Sequence, residues 1–254
     1  MKIGVFDSGV GGITVLKEAL KQLPHVDYVY YADNLHVPYG TKTKEQVLGY
    51  VSEVVEILLQ EQVDAIVIAC NTATSIAVKE LREKYKTIPI IGMEPAVKLA
   101  LDQTQTGRVL VTATPLTLQE EKYRRLVNKI DEHERVDSLA LPELVHYAEN
   151  FQFGEREELK AYFESKLKNY DLTKYSGIVL GCTHFVYFKN ILKDILPSHI
   201  EVYDGNEGTI RHLREILNIN AAVIDAHHET KIDFYYSGEK NVHQDLLKRY
   251  LAVV

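Results

Sequence analysis

Asp64-Ala-Ile-Val-Ile-Ala-Cys70-Asn-Thr-Ala73 matches Ser176-Gly-Ile-Val-Leu-Gly-Cys182-Thr-His-Phe185 position for position. Each stretch runs through a short apolar segment of strand length, a small residue, a cysteine, and then hydrogen-bonding side chains that open a helical pattern. Cys70 and Cys182 are the only 2 cysteines of the 254-residue chain, so this weak internal symmetry falls on both of them. The pair reads as two related α/β lobes, each offering one thiol at the carboxyl end of a strand.

Outward from these segments, short apolar runs alternate with longer helical patterns, the rhythm of an α/β protein with largely parallel sheets. The pattern predicts strands at 2–6, 28–31, 65–69, 88–91, 109–111, 178–181 and 200–203, with further ones at 136–141 and 232–236. Helices are predicted at 12–22, 43–60, 72–84, 116–130, 155–170, 185–196, 209–217 and 243–251. The second of these shows the apolar spacing most clearly, with Val47, Val51, Val54 and Leu58 on one face. No low-complexity linker divides the chain.

Composition excludes several classes. Hydrophobic residues at 46% and charged ones at 26% fit a globular protein and argue against disorder or a fibrous repeat. A formal net charge of −7 argues against nucleic acid as a partner, while leaving room for a local anion site built from neutral donors. No apolar run approaches the ~20 residues of a membrane span, and MKIGVFDSG at the start reads as a strand, not a signal peptide. Two cysteines make no disulfide framework, which points to a reducing, cytoplasmic compartment.

A free cysteine is most often a small buried hydrophobe. Here the placement argues otherwise. Ligands of open α/β sheets bind beyond the carboxyl ends of strands, and a thiol at a helix N-terminus is shifted towards the thiolate. The residues that follow, Asn71 and Thr72 in one copy and Thr183 and His184 in the other, are poor core residues. Four chemistries could use such thiols. A disulfide-exchange pair lacks its Cys-x-x-Cys spacing, and a metal site at Cys70, Cys182 and His184 lacks ligand spacing. A single nucleophile with His184 as base, as in thiol hydrolases, leaves the second thiol unexplained. Two bases facing one carbon from opposite sides explain both: one thiolate removes a proton, the other thiol returns one to the opposite face, and a stereocentre is inverted.

Asp7-Ser8-Gly9-Val10-Gly11-Gly12 follows the first strand and opens the first helix, where glycines expose backbone N–H groups suited to a carboxylate or phosphate. It is not a dinucleotide fingerprint, because the third glycine falls too early and Asp33 would be a lone ribose partner. Asp7 reads equally as a helix cap or as a functional carboxylate. Pro38-Tyr39-Gly40-Thr41 is a turn, with Tyr39 and Thr41 as potential ligand donors. Lys42 and Lys44 are the nearest cations, so an anionic substrate would rest on backbone N–H groups, hydroxyls and the Asn71 amide. That suits a small carboxylate better than a polyphosphate. With no P-loop and no lysine in a pyridoxal-type setting, a reaction without cofactor or metal is the simplest case. His25, His133, His146, His199, His212, His227, His228 and His243 read as surface or satisfied residues, and Glu155 to Glu158 as a solvated helix start.

With these residues in hand, the chain resembles the cofactor-independent aspartate/glutamate racemase family. GVFDSGVGG (4–12), VPYGTK (37–42), IACNTA (68–73) and LGCTH (180–184) carry the resemblance in the family's order and spacing, with weaker similarity along nearly the whole chain. The FDSGVGG and CTH forms are similar to the glutamate branch. The resemblance implies two flavodoxin-like, three-layer α/β domains, pseudo-symmetric, with the active site in the cleft between them. One would comprise residues 1–92 plus 206–254 and the other 93–205. It further implies a cytoplasmic bacterial homodimer that interconverts L- and D-glutamate, without nucleic-acid or membrane partners, and supplies D-glutamate for peptidoglycan.

Carried over by resemblance, Cys70 would take the α-proton of D-glutamate and Cys182 that of L-glutamate. Asp7 and His184 would assist beside the respective thiols, and both would also contact substrate. Ser8, Tyr39, Gly40, Asn71, Thr72, Thr117 and Thr183 would hold the carboxylates and amino group. Some positions depart from the family pattern. Leu141-Pro142-Glu143-Leu144-Val145-His146-Tyr147-Ala148-Glu149 lacks the family's cysteine and second proline, which leaves Glu149 outside the catalytic residues carried over. Val186 stands where a proline is usual and His36 where an arginine is common, and Met93-Glu94-Pro95 is one residue shorter than usual.

Overall fold

The computed structural model describes residues 1–104, 106–131, 133–219 and 228–254. The strands are β1 (Lys2–Asp7), β2 (Asp27–Ala32), β3 (Ala65–Ile68), β4 (Ile90–Gly92), β5 (Arg108–Ala113), β6 (Val136–Ala140), β7 (Tyr175–Leu180), β8 (Glu201–Asp204), β9 (Ile232–Tyr236) and β10 (Glu239–Lys240). They form two sheets, β10-β9-β2-β1-β3-β4 and β6-β5-β7-β8. All neighbours are parallel except the β9–β10 pair. In chain order within each sheet, both contain a second-first-third-fourth arrangement, the order of doubly wound α/β folds. Cys70 follows the third strand of one sheet and Cys182 the third strand of the other, so the sequence repeat is a topological repeat.

The helices are α1 (Ile13–Gln22), α2 (Lys44–Gln60), α3 (Asn71–Lys84), α4 (Val97–Gln103), α5 (Pro115–Gln119), α6 (Glu121–Ile130), α7 (Glu143–Glu149), α8 (Arg156–Leu167), α9 (Lys189–Ile195), α10 (Asn206–Ile216) and α11 (Gln244–Val253). Parallel strands are buried on both faces, and here alternate residues feed opposite cores. Ile3, Val5, Tyr28 and Tyr30 pack with α1, α10 and α11, while Phe6, Val29, Tyr31 and Ile68 pack with α2 and α3. The second sheet repeats the plan: Leu110, Ile178 and Leu180 face α7, α8 and α9, and Val109, Val111 and Val179 face α4 and α6. Each sheet with its helices is called a lobe below. The second lobe is inserted between β4 and α10, and α10 returns to pack on α1 through Ile210 and Leu213.

Several boundaries differ from the sequence reading for identifiable reasons. The predicted helix at 116–130 is two helices, because Glu120 takes an extended conformation (φ −66°, ψ 135°) that no helix continues through. The predicted helix at 185–196 opens instead as a 3-10 turn, Thr183–Phe188. Phe185 and Phe188 are both buried there, and a three-residue repeat eclipses them on one side of the turn. α10 starts three residues before its predicted start at 209, and the predicted strand at 88–91 begins only at Ile90, after Pro89. The seven-residue helices α4 and α7 are too short to show a period in sequence. Among the described residues no helix is long and apolar enough to cross a membrane.

Candidate active site

The tips of β1, β3 and β7 converge at the seam between the lobes. β1 delivers Asp7, fully buried, whose Oδ1 accepts the Gly9 N–H at 3.0 Å and whose Oδ2 accepts the Thr183 hydroxyl at 3.0 Å. Asp7 therefore does not cap α1, whose N-cap is Gly12 with no side-chain bond. It bonds across the seam to the residue after Cys182. Burial pushes the Asp7 carboxyl up to about 6, against the lowering effect of His184, the Gly9 N–H and the Thr183 hydroxyl.

Cys70 caps α3. Its Sγ accepts the Ala73 N–H at 3.5 Å and lies 3.6 Å from the Ser8 hydroxyl. The expectation that the helix N-terminus would lower this thiol is corrected. Burial and then the Asp7 charge push Cys70 up to about 12, with the Ala73 N–H and Ser8 only partly opposing them. The helix end is a fraction of a charge, whereas desolvation of a buried thiolate is the larger effect. Cys182 is not at an α-helix N-terminus at all, because the 3-10 turn follows it. Its partner is the His184 ring, with Sγ 3.7 Å from Nδ1.

His184 is buried, and its Nε2 lies 2.6 Å from Glu149 Oε1. Burial by itself would lower the imidazole, but the bonds to Cys182 and Glu149 reverse this and hold it well above its ordinary value. Glu149 Oε1 also accepts the Val10 N–H at 2.9 Å, and its Oε2 is buried without a hydrogen-bond partner. Glu149, which the sequence comparison set aside, is thus at the centre of the constellation. The signal available was the surviving Pro142, Leu144, Val145 and Glu149 spacing in a stretch missing its other landmarks.

The glycine-rich turn has a use in packing beside the anion cradle expected of it. A methyl group at position 9 would collide with the Glu149 carboxylate, and one at position 11 with Thr183 and the His184 ring. These glycines let the second lobe's polar side chains press against the first lobe's backbone.

The remaining candidates fall around the same seam. Asn71 donates from Nδ2 to the Met93 carbonyl at 3.2 Å, and its Oδ1 is buried without a partner. Thr72 of α3 lies 2.9 Å from Thr117 and 3.0 Å from Thr114 (oxygen to oxygen), both from the second lobe, and those two hydroxyls are 2.9 Å apart. Sequence reasoning missed Thr114, which also caps α5. Tyr39 and Gly40 lie in the 3-10 turn Tyr39–Thr41 facing Thr114. Of the other histidines, His25 bonds the His228 carbonyl and His228 bonds Asp27, while His227 lies outside the described residues. Among the described residues no group of three or more His, Cys, Asp or Glu could hold a metal ion.

This arrangement brings two thiols and a set of hydroxyl and amide groups together in a buried seam. Comparison with known proteins gives the family. The family model for Asp/Glu/hydantoin racemases matches residues 6–213. A glutamate racemase from Halothermothrix orenii is 51% identical over 254 residues, covering 100% of this chain and 99% of the relative. Among solved structures, a glutamate racemase isoform from Bacillus anthracis superposes with a TM-score of 0.86 at 32% identity, covering 98% of this chain and 93% of that one. The Escherichia coli glutamate racemase, solved with L-glutamate and the activator UDP-MurNAc-Ala, gives 0.83 at 29% identity and covers 98% and 94%. With a family model spanning most of both lobes and near-complete alignments to its members, this chain belongs to the Asp/Glu/hydantoin racemase family.

Proposed function

We propose that the protein interconverts L- and D-glutamate by proton transfer between two thiols, without a cofactor. The observation that carries the reading is the matched pair of cysteines, one after the third strand of each sheet, tied together through the Ser8–Asp7–Thr183 chain of contacts. The relatives' substrate supports glutamate as the small molecule acted on. Cys182, with the His184 ring 3.7 Å from its sulfur, is suited to take the α-proton of L-glutamate, while Cys70, whose thiol burial pushes up, returns a proton to the opposite face. In the reverse direction the roles exchange. The carbanion between the two steps is stabilised by donors around its carboxylate from the buried residues Ser8, Asn71, Thr72, Thr117 and Thr183. Domain boundaries at 92/93 and 205/206 fit this reading, because the chain leaves the first sheet after β4 and returns to it with α10. The same reading places the enzyme in the cytoplasm as a homodimer that supplies D-glutamate for peptidoglycan.

A second reading rests on one specific geometry: Cys182, His184 and Glu149 are ordered as nucleophile, base and orienting acid. That set alone would suit amide hydrolysis, with Cys70 left idle. One experiment separates the two. Purified protein incubated with L-glutamate in D2O should lose optical rotation while deuterium enters the α-position, and Cys70→Ala or Cys182→Ala should each reduce the rate by about 10³-fold or more. Full activity in Cys182→Ala would overturn the two-thiol mechanism. Ammonia release from glutamine with no change in rotation of glutamate would favour hydrolysis.

A further inference from the structure

The segment between β2 and α2 holds a buried carboxylate that the chemistry above does not use. Asp33 follows β2, its N–H bonded to the Asp7 carbonyl at 3.1 Å, and its side chain is almost wholly buried. Its two oxygens lie 2.8 and 2.9 Å from His36 Nδ1. Oδ2 also accepts the Tyr39 hydroxyl at 2.6 Å. The His36 ring lies flat on Tyr50 of α2, 3.7 Å between centroids at 11°, and the Tyr39 ring sits between Phe6 and Tyr50 at 6.2 and 6.0 Å. One carboxylate therefore anchors the side chains on both flanks of Val37-Pro38 to a point beside Asp7.

What it anchors faces the seam. Tyr39 and Gly40 open a 3-10 turn, and the first N–H groups of such a turn have no partner within it. Gly40 is seated so closely on Thr114 of the second lobe that a Cβ at position 40 would lie 2.7 Å from the Thr114 Cβ. Small displacements of this turn would therefore alter both its donors and the fit of the lobes.

We infer that Asp33 is a positioning residue, holding Tyr39 and His36 so that the Tyr39–Gly40 backbone presents its N–H groups to a substrate carboxylate. The inference rests on the glutamate-racemase reading above. A carboxylate is required because it accepts from two donors at once, whereas an asparagine turns an NH2 towards one of them. Among the described residues no hydrogen bond joins the turn to either thiol, so weakening it removes binding shared by ground and transition states, which raises KM and spares kcat.

The test is steady-state kinetics in both directions with the wild-type full chain, Asp33→Asn, Tyr39→Phe and the double variant, each checked by thermal melting. Either single substitution should raise KM for L- and D-glutamate about tenfold, with kcat within about threefold, and the double variant should be no worse than the worse single one. Unchanged KM in folded Asp33→Asn, a fall in kcat at constant KM, or additive effects in the double variant would overturn the inference. Should Asp33→Asn not fold, Tyr39→Phe, which removes one oxygen, decides alone: an unchanged KM overturns the inference. A wild-type protein that does not racemise glutamate would overturn the functional reading, and this inference with it.

Discussion

Asp7 shows how burial sets the chemistry of a single residue. Its carboxyl is raised from 3.8 to about 6 because it is fully buried, despite two hydrogen bonds and a cationic neighbour. The folded value is above the unfolded one, so the native state binds the proton more tightly. The resulting stability is complete below about pH 4 and is lost as pH rises through about 6, up to about 3 kcal/mol. The urea midpoint of the wild-type protein is expected to fall over this range more steeply than that of Asp7→Asn, and parallel slopes would contradict the burial argument. The thiols, Asp7 and His184 stand out in the sequence because their motifs are whole, and the fold brings them to one seam. Glu149 stands out less, since some of its usual neighbours are replaced, and contact with His184 and the Val10 N–H places it at the same seam.

Among the elements, α11 does more than complete the first lobe. Tyr250 donates its hydroxyl to the carbonyls of Ala148 at 2.9 Å and Glu149 at 3.1 Å, fastening the end of α7 from the opposite lobe. Its ring stands edge-on to Phe151, 5.1 Å away, and near Tyr187, whose hydroxyl reaches the Val10 carbonyl. Tyr250→Phe keeps the ring and removes both bonds. It should lower stability by about 1 kcal/mol through the lost hydroxyl bonds, the Ala148 carbonyl keeping the Phe151 N–H, and lower kcat by loosening Glu149 beside His184. Chemical denaturation together with racemisation kinetics checks both, and a loss of stability with unchanged kcat would separate α11 from the site. The amphipathic spacing predicted α11 as a helix, but nothing in that spacing says which carbonyls a tyrosine on it will meet.

Across the whole molecule, further polar contacts join the lobes beside the aromatic packing around Tyr250. Thr72 meets Thr114 and Thr117, Thr183 meets Asp7, and Lys44 of α2 pairs with Glu120 at 3.1 Å. Glu120 interrupts the helix predicted at 116–130, and its Oε1 is buried without a partner. The Lys44 side chain is 56% exposed, so screening limits the pair to about 1 kcal/mol or less of stability. Its effect should lie in holding the lobes together. Lys44→Met is expected to raise KM about three- to fivefold and to abolish any rise of KM with salt seen in the wild type. Equal salt dependence in the two proteins would show that the pair does not influence closure.

The sequence by itself determined the fold class, the two related lobes and the two cysteines with their hydrogen-bonding followers. These depend on local periodicity and on motifs a few residues long, which each segment carries in its own composition. Only the tertiary structure decided the pairing of His184 with Glu149, the direction of the Cys70 shift, the use of Gly9 and Gly11 as room for the opposite lobe, and the anchoring of Tyr39 by Asp33. Each of these depends on burial or on contact across the seam. Burial and distance are properties of the packed chain, and the same residues spaced identically in an open strand-turn-helix would titrate and bond differently.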